Sequence, residues 1–218
     1  RYFKIFIPRF LLPLMDFDGF LTYVLKVKKQ IVNPEKINDY ISEESYFGTS
    51  KKLYVILPGW RQSPRWIYNI LKGRIKKEGH SYLFYSFKPE ILSANLGLTR
   101  KSFFGIEQAV HKKVKSFGKR FSQVVLIGIS LNSVSACMVA NRLKLLTTLV
   151  LVSPARTLAE ATWHGIRTRK IRDAWEGTGV VLKKVIKEWG SIAPENNIDK
   201  IHANKIVVYL SKSDRVVP

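Results

Sequence analysis

The chain has 218 residues, of which 46% are hydrophobic and 12% aromatic. This length and composition suit a folded domain with an apolar core and exclude an intrinsically disordered protein. Lysine and arginine number 37 against 16 aspartates and glutamates, a formal net charge of +21. Such a charge attracts polyanions, namely nucleic acid, anionic lipid or acidic substrates.

The basic residues are spread over the chain instead of being gathered in one segment. Their runs lie at 28–29, 51–52, 74–77, 112–120, 167–172 and 183–187. This distribution favours a solvated basic surface, and a single anion-binding groove is the alternative. The aromatic residues do not alternate with these runs as base-stacking sites require, so we expect no nucleic-acid partner. Weak association with an anionic membrane surface stays open.

The cysteine content, the apolar runs and the two ends of the chain bear on the compartment of the protein and on whether the chain is a fragment. Cys137 is the only cysteine, which excludes an intrachain disulfide and favours a reducing compartment such as the cytoplasm. No apolar run reaches the ~18 residues of a membrane span. Residues 1–15 are apolar and basic but broken by prolines, so we expect them to pack on the domain or lie on a membrane. Because the chain lacks an initiator methionine and ends at Pro218 after a predicted strand, it is expected to be a fragment of a longer protein.

The elements are predicted in chain order from apolar runs and turn signals. Residues 1–52 form a segment of unclear role, expected to pack on the core domain of residues 53–218. Strands are predicted at 53–57, 81–86, 123–129, 147–152 and 204–210, with helices starting at Ser63-Pro64, Thr99 and Asn132. This alternation predicts an α/β fold, a mostly parallel sheet with helices on both faces.

The alternation breaks between Pro154 and Asn197. This stretch contains three tryptophans and two helix-like segments, at about 156–173 and 178–189. We interpret residues 156–197 as a helical cap inserted above the edge of the sheet, with ordinary crossover helices as the alternative.

The most informative junction follows the apolar strand 123–129. It reads Gly128-Ile129-Ser130-Leu131-Asn132 and leads directly into a predicted helix. A serine on such a tight strand-to-helix turn adopts a strained backbone conformation with its hydroxyl above the sheet. The helix start also places free N–H groups near a developing oxyanion. The alternative is an ordinary N-cap serine.

At this junction the chain resembles the α/β-hydrolase family, whose elbow reads G-x-S-x-G. Gly128 and Ser130 match the motif, and Asn132 stands where the last glycine belongs. The resemblance implies an α/β-hydrolase fold with Ser130 as the nucleophile. It covers residues 53–218.

Two further places extend the resemblance. Leu57-Pro58-Gly59-Trp60 follows an earlier strand, where the family has a glycine turn that supplies half of the oxyanion hole. The resemblance therefore implies the Trp60 and Leu131 backbone N–H groups as the oxyanion donors. A plain proline–glycine turn is the alternative.

The second place is Asp214, in the string after the last predicted strand. The family's triad acid occupies this position and orients a histidine, and an Asx turn is the alternative. The family's histidine follows the acid, but His80, His111, His164 and His202 all precede Asp214. We assign none of them as base, and we expect the catalytic histidine beyond Pro218.

These features predict a serine hydrolase that acts on a carboxylic ester or related acyl compound through an acyl-enzyme. Its partner is a small-molecule acyl substrate, and acyl transfer to an alcohol is a variant. No metal-ligand spacing and no nucleotide-binding glycine motif is present, so no metal or cofactor is expected. The alternatives are a catalytically silent binding protein of this fold and an anionic-surface binder.

Overall fold

The computed structural model describes residues 2–5, 40–48, 50–62, 80–144, 146–155 and 157–210. Asp214 and the predicted helix that starts at Ser63 lie outside these ranges. The strands are β1 Tyr2–Ile5, β2 Ile41–Phe47, β3 Lys52–Leu57, β4 Ser81–Phe87, β5 Gln123–Ile129, β6 Leu146–Val152 and β7 Lys205–Tyr209. The helices are α1 Leu96–Ser116, α2 Ser133–Ala140, α3 Leu158–His164, α4 Arg169–Gly177 and α5 Leu182–Trp189.

All seven strands lie in one sheet, in the order β1-β7-β6-β5-β3-β4-β2. Every pair is parallel except β2 and β4, which are antiparallel at one edge. The predicted mostly parallel sheet is therefore confirmed. Because the carboxyl ends of parallel strands meet at one edge, the loops after β3, β4, β5, β6 and β7 all leave the sheet on the same side.

The central strands are apolar almost throughout because both faces of the sheet are covered. One face packs against α1 and α2, which contribute Ile106, Val110, Ala136 and Val139 to the main core. Alternate residues of the strands form a second cluster on the other face, namely Ile56, Tyr82, Phe84 and Ile129. Successive strand side chains point to opposite faces, so a single strand serves both clusters.

Helix α1 begins at Leu96, three residues before the predicted start at Thr99. Asn95 is the N-cap, and its side chain accepts a hydrogen bond from the Leu98 N–H, the usual way to satisfy a free amide at a helix start. The apolar spacing of three and four residues places Phe103, Ile106 and Val110 on the buried face.

The stretch after β6 forms three helices, α3 to α5, where the sequence predicted two segments. The first predicted segment, 156–173, is interrupted at Gly165, which has extended backbone angles (φ −69°, ψ 132°). The Thr168 hydroxyl donates to the Thr162 and Gly165 carbonyls there. A Cβ on Gly165 would lie 2.5 Å from the Ala161 carbonyl oxygen, so glycine permits the close turn that separates α3 from α4.

Two strands come from before residue 53. β2 pairs with β4 at one edge of the sheet, and β1 pairs with β7 at the other. The division of the chain at residue 53 and the packing of residues 1–52 as a separate segment stay predictions. No helix within the described ranges is long and apolar enough to cross a membrane.

Candidate active site

Ser130 lies at the carboxyl end of β5, where the chain turns into α2 through a short 3-10 turn, Ser130–Asn132. Its φ is +51°, in the left-handed region that a residue with a Cβ rarely adopts. A non-glycine residue held there stores roughly 1–3 kcal/mol of strain, and such residues cluster at functional sites. The sequence predicted this position and this strained conformation for the serine.

Gly128 allows the strand and helix to approach each other closely at this turn. A Cβ added to Gly128 would lie 2.5 Å from the Ala136 Cβ and 2.9 Å from the Asn132 carbonyl oxygen. Ala136 lies in α2 and Asn132 in the 3-10 turn that leads into it. Their atoms have little freedom to move away. The glycine two residues before Ser130 is therefore required by packing.

Asn132, the residue in place of the motif's last glycine, is fully buried. Its Nδ2 donates to the Pro58 carbonyl at 2.5 Å, and its Oδ1 accepts from the Ser135 hydroxyl at 3.0 Å. The Ser133 hydroxyl donates to the Gly128 carbonyl at 3.4 Å. Asn132, which replaces the last glycine of the motif, thus bonds the strand-to-helix turn at Ser130 to the turn after β3. Sequence reasoning missed this role, because only the contact with Pro58, 74 positions away in the chain, reveals it.

The turn after β3 is held by its own hydrogen bonds. The Gly59 N–H donates to Gln62 Oε1 at 2.9 Å, and the Gln62 N–H donates to the Gly59 carbonyl at 3.0 Å. Among the described residues, none accepts a hydrogen bond from the Trp60 backbone N–H. Leu131 is the second residue of the 3-10 turn, so its N–H belongs to the helix-start amides that lack a partner within the helix.

Backbone strain is concentrated at this edge of the sheet. The non-glycine residues with positive φ among those described are Arg61 (+58°), Ser130 (+51°) and Ser153 (+45°). They follow the carboxyl ends of β3, β5 and β6 respectively, which are three adjacent strands. Sequence analysis identified the strain at Ser130 from the motif around it and missed the strain at Arg61 and Ser153, where no such motif occurs.

Three tryptophan indoles donate to backbone carbonyls of one segment, residues 89–96, which follows β4 at the same edge. The bonds run from Trp60 to Pro89 (2.8 Å), from Trp175 to Ala94 (2.7 Å) and from Trp189 to Leu96 (3.1 Å). Trp175 and Trp189 belong to α4 and α5, and both are fully buried. Helices α4 and α5 therefore bond to the segment that leaves the sheet at the edge that carries Ser130.

The cluster beneath these helices reaches the elbow. Val134 and Met138 of α2 are buried in it with Trp175 and Trp189, and the Trp60 and Leu131 side chains pack against it. Trp60 and Leu131 also pack against the main core. The residues predicted as the two oxyanion donors thus lie at the boundary between the main core and the cluster formed with helices α3 to α5.

Asp214 lies outside the described residues. The strand before it, β7, ends at Tyr209, which is in register with Val152 of β6, and Val152 in turn with Ile129 of β5. The Ser153 N–H donates to the Tyr209 carbonyl at 2.8 Å. The chain therefore leaves β7 at the same height along the strands as the turn that carries Ser130.

Strand pairing does not place the histidines that precede β4 and β7 at the turn that carries Ser130. His80 directly precedes β4, whose first residue is in register with Leu53, and Leu53 with Val124. A strand of seven residues separates that level from Ser130, about 20 Å. His202 likewise precedes β7, and His164 is exposed at the end of α3.

The fourth histidine, His111, lies in the last third of α1. Burial, followed by the nearby charges of Arg142 and Lys115, lowers its pKa. That none of the four histidines is the base stays a prediction.

The cysteine near the elbow is no alternative nucleophile. Cys137 is fully buried in α2, and burial raises the pKa of its thiol to about 12, so the reactive thiolate is scarcely populated near neutral pH. Among the residues that the structure describes, no three or more histidine, cysteine or carboxylate side chains are arranged to hold a metal ion.

No protein-family model matches the chain, and no curated protein matches it. Solved structures do match. An acetyl xylan esterase from Paenibacillus sp. R4 superposes with a TM-score of 0.60 at 12% identity, over 94% of this chain and 81% of that protein. A proposed thioesterase from Silicibacter sp. TM1040 gives 0.58 at 16% identity, over 91% and 73%. The α/β hydrolase GrgF from Penicillium sp. sh18 gives 0.52 at 13% identity, over 81% and 77%.

These likenesses, together with the parallel sheet and the elbow after β5, show that the chain has the α/β-hydrolase fold. At such identities the likeness establishes the fold and leaves the activity to be argued from the site.

Proposed function

We propose that the protein is a serine hydrolase that cleaves a carboxylic ester or related acyl compound, with Ser130 as the nucleophile. The observation that carries this proposal is the left-handed conformation of Ser130 at the end of β5. A serine that only caps a helix has an extended backbone and suffers no such strain. A conformation that costs free energy is retained where it serves to present the side chain.

The proposed reaction proceeds in two stages through an acyl-enzyme. A general base takes the hydroxyl proton as Oγ attacks the acyl carbon, and a tetrahedral intermediate with an oxyanion forms. The intermediate collapses to an acyl-enzyme, and the leaving alcohol takes the proton back from the base. Water, activated by the same base, then releases the acid and restores Ser130. An alcohol in place of water would give acyl transfer.

The Trp60 and Leu131 backbone N–H groups are proposed to bind the oxyanion. Support comes from the hydrogen bonds of the turn, in which the N–H of Gly59 is occupied and that of Trp60 has no acceptor among the described residues. Leu131 adds the second donor, at the start of the turn into α2. Fixed donors of this kind contribute about 10²- to 10³-fold to kcat.

Asp214 is proposed as the acid of the triad, with a histidine that follows it as the base. Asp214 comes five residues after Tyr209, a distance that a chain spans up to about 17 Å. β7 lies two strands from β5, or about 10 Å. These two distances support the proposal that Asp214 orients a histidine seated over Ser130. No histidine follows Asp214 within the 218 residues.

The substrate class is proposed from the site and from the activities named for the neighbours. Those neighbours include acetyl xylan esterases and a proposed thioesterase, which act at acyl carbonyls. A small-molecule acyl substrate that enters between Trp60, Leu131 and the cap helices fits the apolar boundary at which these side chains lie.

Hydrolysis of short-chain p-nitrophenyl esters by the full-length protein tests this proposal. The wild type should turn over, and Ser130→Ala should lose at least about 10³-fold in kcat because the nucleophile is gone. Asp214→Asn should lose a comparable factor, since an aspartate fixes the tautomer of the base. Ser133→Ala is the matched control and should keep its kcat. A folded wild type without esterase or thioesterase activity would instead favour a catalytically silent binding protein.

A further inference from the structure

We propose that Asn132 is a positioning residue that couples the two halves of the oxyanion hole, an inference that rests on the proposed function. In the motif that this chain resembles, the position belongs to glycine. Here the side chain crosses from the elbow to the turn after β3, and it holds that turn at a fixed place relative to Ser130.

The orientation of the Asn132 amide follows from its partners. The Pro58 carbonyl can only accept a hydrogen bond, so the atom that faces it at 2.5 Å must be Nδ2. The other end, Oδ1, then accepts from the Ser135 hydroxyl at 3.0 Å. Asn132 is fully buried, so the loss of either partner would leave a polar group unsatisfied in the interior.

The bond to Pro58 acts on the Trp60 N–H through two consecutive peptide planes. The first plane joins the Pro58 carbonyl to the Gly59 N–H, and Asn132 and Gln62 Oε1 hold its two ends. The second plane joins the Gly59 carbonyl to the Trp60 N–H, and the Gln62 N–H holds the carbonyl. Because a trans peptide points its N–H opposite to its carbonyl, the direction of the Trp60 N–H is set once both carbonyls are held.

Asn132 is thus the link between this turn and the elbow. Gln62 holds the turn together from within, but it lies in the same loop and does not define where the loop sits. Asn132 directly follows Leu131, which supplies the second donor. The Trp60 indole also holds this turn, to Pro89 on the side of residues 89–96, but the side-chain bond from the turn to the elbow comes from Asn132. The spacing between the two donors therefore depends in part on Asn132, and a misplacement of about 1 Å costs up to 10²-fold in rate.

The kinetic test compares Asn132→Ala and Asn132→Gly with Ser135→Ala in the full-length protein. The Asn132 variants should lose about 10- to 100-fold in kcat with KM changed less than about 3-fold, because a displaced donor weakens binding of the transition state and not of the substrate. Ser135→Ala removes the other hydrogen bond of Asn132 and leaves the Pro58 bond, so its kcat should stay within about 3-fold of the wild type.

Amide hydrogen exchange tests the link without reference to activity. In Asn132→Ala, the Gly59 and Gln62 amides should exchange about 10-fold faster relative to those of β5, because the turn opens without its anchor. In Ser135→Ala they should keep their relative rates. Unchanged relative exchange in Asn132→Ala would overturn the inference, as would wild-type kcat in a folded Asn132 variant.

The two proposals fail in different ways. If the wild type hydrolyses no ester, the proposed function fails, while exchange at Gly59 and Gln62 still decides whether Asn132 holds the turn. If the wild type is active and the Asn132 variants lose stability but keep kcat, the function stands and the positioning role is overturned.

Discussion

At the residue scale, the conformation of Ser130 links chemistry to stability. Its left-handed φ of +51° places a β-carbon where glycine is far more easily accommodated. A residue there is maintained by its surroundings, in this case by β5 before it and the fully buried helix α2 after it. The function proposed for the side chain and the cost of its backbone should therefore be separable by substitution.

We predict that Ser130→Gly is more stable than Ser130→Ala by about 1 kcal/mol. Alanine keeps the strained β-carbon and loses only the hydroxyl, whereas glycine relieves the strain. Urea denaturation of both variants measures the difference, and both should lack activity. An alanine variant as stable as or more stable than the glycine variant would mean that the turn stores no strain.

Asn132 shows where single residues could not be interpreted from the sequence. The order of small residues around Ser130 predicted the elbow, because local sterics at a strand-to-helix turn permit few alternatives. The role of Asn132 depends on the Pro58 carbonyl, and the sequence contains no local sign of that contact. The placement of Asp214 stays a prediction, since it lies outside the described residues.

At the element scale, the segment 89–96 connects the turn after β3 with helices α4 and α5. It accepts the Trp60 indole at one end and those of Trp175 and Trp189 at the other. The Trp175 ring also stacks on Trp163 at 5.8 Å and meets Trp189 edge-on at 5.5 Å. Helices α4 and α5 are therefore anchored by aromatic packing and by hydrogen bonds that satisfy their two buried indoles.

We predict that Trp175→Ala lowers the free energy of unfolding by about 3–5 kcal/mol, because it removes a fully buried ring and leaves the Ala94 carbonyl without its donor. Trp175→Phe should cost less, since it keeps most of the apolar surface. Trp163→Ala is the control within the same stack, and its smaller burial predicts a smaller loss. Equal losses for the Trp163 and Trp175 variants would show that helix α4 is not anchored mainly through Trp175.

The positions of the strands were largely predictable from the sequence, whereas the interruption of a helical segment was not. Apolar runs predicted β3 to β7 to within two residues because strands covered on both faces have few polar positions. The division of the predicted helical segment 156–173 at Gly165 was missed. The contacts that require glycine there, with Ala161 and Thr168, exist only after the chain has turned.

At the scale of the whole molecule, the sheet brings together turns that are far apart in the sequence. Parallel pairing of β3, β5, β6 and β7 places the Trp60 turn, the Ser130 elbow and the chain that leads to Asp214 at one edge. Alternation of strands and helices predicted this arrangement in outline. Strand order and the edge positions of β1 and β2 depend on pairing between distant segments, which local sequence patterns do not contain.

Labelling of the full-length protein with a fluorophosphonate, followed by peptide mapping, tests the central claim most directly. The reagent phosphonylates an activated serine irreversibly, so it reports the nucleophile without requiring the natural substrate. We predict stoichiometric modification at Ser130, loss of the label in Ser130→Ala, and unmodified Ser133 and Ser135, which are buried in α2. A folded protein that stays unlabelled, or that is labelled at another serine, would contradict the assignment of Ser130 as the nucleophile.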